Sequence, residues 1–340
     1  MPRLRRTSPS QPGWTRRRAG RGFIYLDGDG RRIKDAEILD RLGDLVIPPA
    51  WQDVWLCPFP NGHLQAVGTD AAGRRQYLYH PAWSEQRATK KHERVLGFAR
   101  RLPAARRTVR DHLARPGMPR ERALAVGFRL LDRGLFRIGG EQYAEEHGSY
   151  GLATLRKEHV QLDRDTLAFD FPAKSGNRRT MVLTDAEILD AVGTLRRRRS
   201  GGEELLAYRD GGRWRDVGSD DLNTYLKDVV GPDASAKDFR TWHGTVLAAV
   251  ALAGRDRPRS ESAGRREVAR AVKQVSQYLG NTPAVCRASY IDPKVLDRYR
   301  EGRTIDARRR PEDFGTEADL VELPAPSPAT ERAVLGLLGD

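Results

Sequence analysis

The stretch LGNTPAVCRASYIDP, residues 279–293, holds Asn281 and Tyr290 nine residues apart near the end of a long helical run. Working back from it, apolar residues recur at helical spacing over about 184–198, 219–229, 238–253 and 262–279, and a further helix is expected at 283–297. A strand is expected at 205–209. Upstream, TLAFDFPAKSGNRRTMVLT at 166–184 reads as a β-hairpin with Ser175-Gly176-Asn177 as its turn. Helical segments return near 84–101, 103–114 and 119–134, punctuated by Pro103, Pro116 and Pro119, and another begins near residue 140. Before residue 83 the pattern changes. GFIYLD, LVIP, VWLCP, LQAVGTD and RQYLYH are short β-type runs separated by Gly, Asp, Asn and Pro, with one helix at 34–43. The expected fold is therefore α+β. A small, mostly antiparallel β N-terminal domain spans 23–83, and a larger, mainly α-helical domain with a β-hairpin spans 84–302.

Outside these lie two segments of opposite charge. Residues 1–22 carry seven Arg and no acid and read as a flexible basic arm; residues 303–340 read as an acidic C-terminal tail, closed by a short helix near 330–338. The whole chain of 340 residues has 60 Lys+Arg against 46 Asp+Glu, a formal net charge of +14. Only nine of the basic residues are Lys, and the planar fork of Arg suits bidentate phosphate contact. Genomic base composition raises Arg in the same way, so composition points to a polyanionic partner and no further. The longest uncharged apolar run, TVLAAVALAG at 245–254, is half of what a spanning helix needs. The basic N-terminus has no apolar segment of the kind a secretory signal carries. Cys57 and Cys286 cannot supply a disulfide framework or a cysteine-rich zinc site, and a reducing cytosol is the expected compartment.

Most chemical templates are absent. The seven His make no HExxH and no Cys/His zinc spacing, there is no GxxxxGK[ST], and the acids are not grouped as a two-metal nuclease needs. No metal and no cofactor is expected.

Five segments in order carry a different signal. They are FRIGGEQY at 136–143 running into GSYGLATLRKEHV at 148–160, Lys174 in FPAKSGN, KDFRTWHGT at 237–245, and Asn281 and Tyr290 in the stretch quoted above. Together they resemble the type IB DNA topoisomerases over nearly the whole folded length, closest to the compact bacterial and poxvirus-like branch. GTDAAGRRQYLYHPAW at 68–83 is similar to that family's N-terminal DNA-contacting segment.

The resemblance implies a transient single-strand break through a 3′-phosphotyrosyl link, swivelling of the duplex and religation, without ATP or metal. Tyr290 would be the nucleophile, a role for which a phenol is chemically suited. Arg137 and Arg240 would stabilise charge on the phosphoryl oxygens. Lys174 would protonate the leaving 5′-oxygen, although in isolation a solvated turn lysine is the favoured reading. Lys237, three residues before Arg240, has a supporting role. Asn281 stands where the family more often has His; an amide donates a hydrogen bond but cannot shuttle a proton. His243, one turn after Arg240, reads as a packing residue rather than a substitute for that His.

For DNA binding the resemblance points to Gln76, Tyr77, Tyr79 and Tyr143. Tyr77 and Tyr79 share a face in a strand, and that face is either in a groove or in a core. Two other classes remain. A tyrosine recombinase uses the same nucleophile and Arg pair, but usually has His where Lys237 stands and lacks a β lobe like 22–82. A non-enzymatic basic DNA-binding protein accounts for the charge and leaves the Arg137, Lys174, Arg240 and Tyr290 series unexplained. The expectation is a bacterial, cytoplasmic, nucleoid-associated monomer that clamps double-stranded DNA and does not enter the membrane.

Overall fold

Trp14, Leu56, Ala66 and Leu78 lie opposite one another on four adjacent strands and form one apolar row. The strands are β1 (Trp14–Ala19), β3 (Gln52–Leu56), β4 (Leu64–Thr69) and β5 (Arg75–Tyr79); β2 (Gly22–Leu26) flanks β1, and the sheet order is β2-β1-β3-β4-β5, antiparallel throughout. Helix α1 (Ala36–Asp44), capped by the Asp35 carboxylate on the Ile38 amide, packs Ile38 and Leu42 on this row with Ile47 and Val54. A fully buried Leu such as Leu56 contributes about 1.5–3 kcal/mol here.

The structure, a computed structural model, describes residues 3–253, 260–306, 321–322 and 327–339, with the side chains of 142, 143, 147, 175, 321 and 322 outside that description. The chain forms two units, Met1–Glu93 and Arg94–Asp340. The first corrects the expectation of a flexible arm over 1–22. From residue 3 onward that stretch is built into the unit: Arg5 bridges Gly62, and β1 pairs with both β2 and β3. Arg16 is accommodated because its guanidinium donates to the carbonyls of Ile47, Pro48 and Trp51, each at 2.9 Å.

Helix α2 (Pro81–Leu113) runs unbroken through Pro103, where two helices were expected. Its buried stripe of Phe98, Leu102, Ala105, Val109 and Leu113 outweighs the donor that proline removes. The second unit continues with α3 (Arg120–Gly134), α4 (Glu141–His147), β6 (Val160–Asp163), β7 (Thr166–Pro172), β8 (Arg178–Thr184) and α5 (Ala186–Arg197). Next come β9 (Ala207–Asp210), β10 (Arg213–Asp216), α6 (Ser219–Val229), α7 (Ala236–Leu252) and α8 (Glu261–Leu279). It ends with α9 (Pro283–Ser289), α10 (Pro293–Arg300), β11 (Val321–Glu322) and α11 (Pro328–Gly339). The expected hairpin is β7–β8, in a sheet of order β11-β8-β7-β6. Strand β10, missed in the sequence, pairs with β9. The single helix expected at 283–297 is two, because the Asp292 side chain and Pro293 start a new one. Nearly every residue of α7 is buried, so this helix is the axis of the second unit.

The helix expected near 330–338 is α11, and rather than trailing as part of a tail it packs Val334 and Leu338 into the core. Its Glu331 accepts from Arg106 at 2.5 and 2.9 Å and from the Trp242 indole at 3.1 Å. Arg106 pairs with Asp132 at 2.8 and 2.9 Å, and Asp132 accepts from His243 at 3.1 Å. Most of the acidic stretch itself, 307–320, lies outside the described residues.

Replacing Glu331 with Ala removes the acceptor of the Trp242 indole and one of the two carboxylates on Arg106, which keeps Asp132, and is expected to destabilise the protein by about 1–3 kcal/mol, read by urea denaturation. Asp132 is held below the ordinary carboxylate range, since Arg106 and His243 outweigh the burial that would raise it. Its contribution is therefore present at neutral pH and is lost only as the pH falls below that range.

Candidate active site

Helix α8 ends at Gly280, which adopts the left-handed conformation at φ +58°. The Asn281 amide returns to the Ser276 carbonyl and the Gly280 amide to the Gln277 carbonyl, closing a Schellman turn. The next three carbonyls in the chain each accept from a different arginine. Arg179 Nη2 bonds Tyr278 O at 2.9 Å, Arg240 Nη2 bonds Leu279 O at 2.7 Å, and Arg137 Nη2 bonds Gly280 O at 3.1 Å. The same Arg137 nitrogen also donates to Asn281 Oδ1 at 2.5 Å. Among the described residues none of these three guanidiniums pairs with a carboxylate. The negative end of the α8 dipole favours their approach.

Each arginine arrives on a separate element. Arg137 follows α3, where Leu135 turns the chain at φ 53° and Phe136 packs between Phe169 and Phe171. Its backbone is pinned by Leu152 and Ala153, whose amides donate to Arg137 O and Ile138 O. A Cβ on Gly151 would meet Gly139 at 2.4 Å, so both glycines are needed for that approach. This explains the paired FRIGG and GSYG runs. Arg240 lies at the start of the second turn of α7, which Ser235 and Asp238 cap reciprocally. Its other Nη reaches Leu135 O at 2.5 Å, so one side chain ties the segment before Arg137 to the segment before Asn281.

Tyr290 closes α9, and the Arg240 guanidinium lies 4.9 Å from its ring centre. Burial would raise the phenol, but the charge and hydrogen bond of Arg240, helped by Arg137 and Lys237, outweigh it and hold the group below the ordinary tyrosine value. Helix α7 seats this loop directly. A Cβ on Gly244 would come within 2.6 Å of Tyr290 O, and Thr245 Oγ1 accepts from the Asp292 amide at 3.0 Å. Sequence reading quoted these two residues inside a motif without giving them a role. Arg179 it missed altogether; the only signal was a second Arg after the hairpin turn.

Lys174 stands exposed at the β7–β8 turn and lines a hollow of about 160 Å³ with Arg137, Arg179, Gln277 and Gly280. Lys237 is exposed in the first turn of α7. Asn281 offers a refinement: Arg137 holds its amide oxygen, so its shielded Nδ2 is left without a partner among the described residues. His243 is taken up by Asp132 in the buried network. In the first unit, Leu78 faces the core, while Tyr77 and Tyr79 are exposed on the other face with rings stacked 6.3 Å apart. Gln76 lies on the Leu78 side, its amide donating to Asp70 at 2.9 Å. Tyr143 falls in α4, and its side chain lies outside the described residues.

The titration of Tyr290 is directly testable. In a spectrophotometric titration read against Tyr290→Phe, the Tyr290 phenol should ionise below the ordinary tyrosine value. With Arg240→Lys the inflection should move to higher pH, since burial then acts against a weaker opposing donor. An unmoved inflection would show that Arg240 does not set the phenol.

The comparisons with known proteins point to one family. The catalytic-core model of eukaryotic DNA topoisomerase I matches residues 80–310, and the N-terminal-domain model of bacterial DNA topoisomerase IB matches 22–70. DNA topoisomerase 1B of Acanthamoeba polyphaga mimivirus is 30% identical over 297 residues, covering 85% of this chain and 88% of the relative. DNA topoisomerase I of monkeypox virus and DNA topoisomerase 1B of vaccinia virus (strain Copenhagen) are each 21% identical, covering 71% of this chain and 74% of theirs. With three arginines gathered at the end of α8 beside a half-buried tyrosine, and with matches over both units, the chain belongs to the type IB DNA topoisomerase family.

Proposed function

We propose that Tyr290 attacks a DNA phosphodiester, forming a bond from its phenolic oxygen to phosphorus while the bond to the 5′-oxygen breaks. The 5′-oxygen leaves as a hydroxyl with a proton from Lys174, and the 3′-phosphate stays on the enzyme. The link conserves the energy of the original ester, so the same groups run the step backwards and reseal the strand without ATP. Between the two steps torsional strain turns the duplex.

The observation that carries this reading is the arrangement around Tyr290. Its phenol lies under the Arg240 guanidinium, and Arg137 and Asn281 meet at the adjoining helix end with no acid among the described residues to neutralise them. Preorganised donors of this kind act most strongly on charge that develops in the transition state. Arg137 and Arg240 each keep N–H groups free of the α8 carbonyls for the phosphoryl oxygens. Asn281 supplies its Nδ2–H as a donor, which an amide can do at any pH. Lys237, exposed one turn before Arg240, adds positive charge beside the phosphate.

The exposed pair Tyr77 and Tyr79 supports contact with the DNA groove from the first unit, with Gln76 and Tyr143 as further contacts. We assign the protein to the bacterial cytoplasm, acting on double-stranded DNA of the nucleoid as a monomer that clamps the duplex. No helix among the described residues is long and apolar enough to cross a membrane.

Supercoiled plasmid incubated with the protein in EDTA without ATP should be relaxed, and Tyr290→Phe should abolish relaxation. Plasmid left supercoiled by the wild type contradicts the reading, and full activity in Tyr290→Phe contradicts the nucleophile. Arg137→Ala should bind duplex nearly normally and cleave about 10²–10³ times more slowly. Equal loss of binding and cleavage would make Arg137 a docking residue.

A further inference from the structure

Arg178 and Arg179 are neighbours on β8, and their side chains leave opposite faces of the strand. Arg178 is exposed and is neutralised inside its own hairpin by Asp170, at 2.6 and 2.7 Å. Arg179 has no such partner among the described residues. Its Nη2 donates to Tyr278 O across 99 residues of sequence, and its Nη1 faces Gly280, where a Cβ would stand 2.6 Å away. Its Nε is shielded from solvent and without an acceptor.

Resting on the proposed roles of Lys174 and Tyr290, we propose that Arg179 is a positioning residue that locks the hairpin carrying Lys174 to the turn carrying Asn281. Lys174 lies at the tip of β7–β8, five residues before Arg179, and both line the same hollow as Arg137 and Gly280. Both terminal nitrogens of Arg179 are directed at the 278–280 turn, so it acts on the reaction through geometry. Burial, and then the charges of Arg240 and Arg137, push its ordinary value down to about 9, yet it remains charged at neutral pH. That cost is consistent with a guanidinium kept for its bond to the Tyr278 carbonyl and its planar packing against Gly280, which Lys cannot reproduce. Releasing the tie lets the hairpin tip move, and a displacement of about 1 Å costs on the order of 10² in rate.

The test uses the full chain and a duplex built around a mapped cleavage site of the wild type. It is made in two forms, with oxygen or with sulfur as the bridging 5′ atom. A thiolate leaves without a proton, so a defect in general-acid positioning is repaired by sulfur and a defect in charge stabilisation is not. Arg179→Ala should cleave the oxygen duplex about 10–100 times more slowly and the sulfur duplex within a few-fold of wild type, with noncovalent binding little changed. Arg179→Lys keeps one donor and should show a smaller defect, equally repaired by sulfur; it serves where the Ala variant does not fold. Lys174→Ala should be repaired in the same way. Its failure to be repaired overturns the Lys174 role and this proposal together. Repair of Lys174→Ala without repair of the Arg179 variants overturns this proposal alone, as does wild-type cleavage of the oxygen duplex by both Arg179 variants.

Discussion

The C-terminus of α8 organises this site. A helix end leaves backbone carbonyls in need of donors, and here the Schellman turn satisfies those of Ser276 and Gln277. The carbonyls of Tyr278, Leu279 and Gly280 are left to three guanidiniums from β8, α7 and the loop after α3. Gathering like charges is unfavourable by itself. The dipole and the carbonyls offset part of that cost, and on the proposed roles the remainder would attract an incoming phosphate. Gly280 is required at the centre because its φ is positive and because a side chain there would collide with Arg179.

The same unit shows what a neutralised arginine looks like. Arg106 of α2, gripped by Asp132 and Glu331, ties α3 to α11, and Glu331 in turn accepts from Trp242 on α7. Neutral partners alone do not mark a reactive arginine, since Arg16 too is held by carbonyls; what sets Arg137, Arg179 and Arg240 apart is that they converge on one helix end. Arginines with an acid partner fasten elements together, whereas Arg137, Arg179 and Arg240 are held only by neutral carbonyls and an amide. Helix α7 joins the two systems. Arg240, Gly244 and Thr245 support the Tyr290 loop, while Trp242 and His243 engage the network around Glu331 and Asp132.

Much of this was legible in the sequence, and the failures have physical causes. Arg137, Arg240, Asn281 and Tyr290 were singled out by ordered motifs, and the structure brings all four to one helix end and the loop beside it. Arg179 was invisible because a second Arg after a turn looks like surface charge until its strand face is known. Strand β1 was hidden by its arginines; only the three carbonyls that accept from Arg16 make that residue compatible with a sheet. Pro103 looked like a helix end because a pattern reading weighs one lost donor more than five buried side chains. The split at Asp292 was readable as a capping residue before proline, yet the surrounding helical period concealed it.

The central claim is that the phenol of Tyr290 carries the broken strand. It is tested most directly by denaturing the enzyme rapidly on a nicked duplex that cannot religate, digesting the adduct and locating the nucleotide by mass spectrometry. The account predicts a nucleotide linked through its 3′-phosphate to the peptide containing Tyr290, and a free 5′-hydroxyl on the other DNA end. A nucleotide on any other residue, or one attached through a 5′-phosphate, would contradict it.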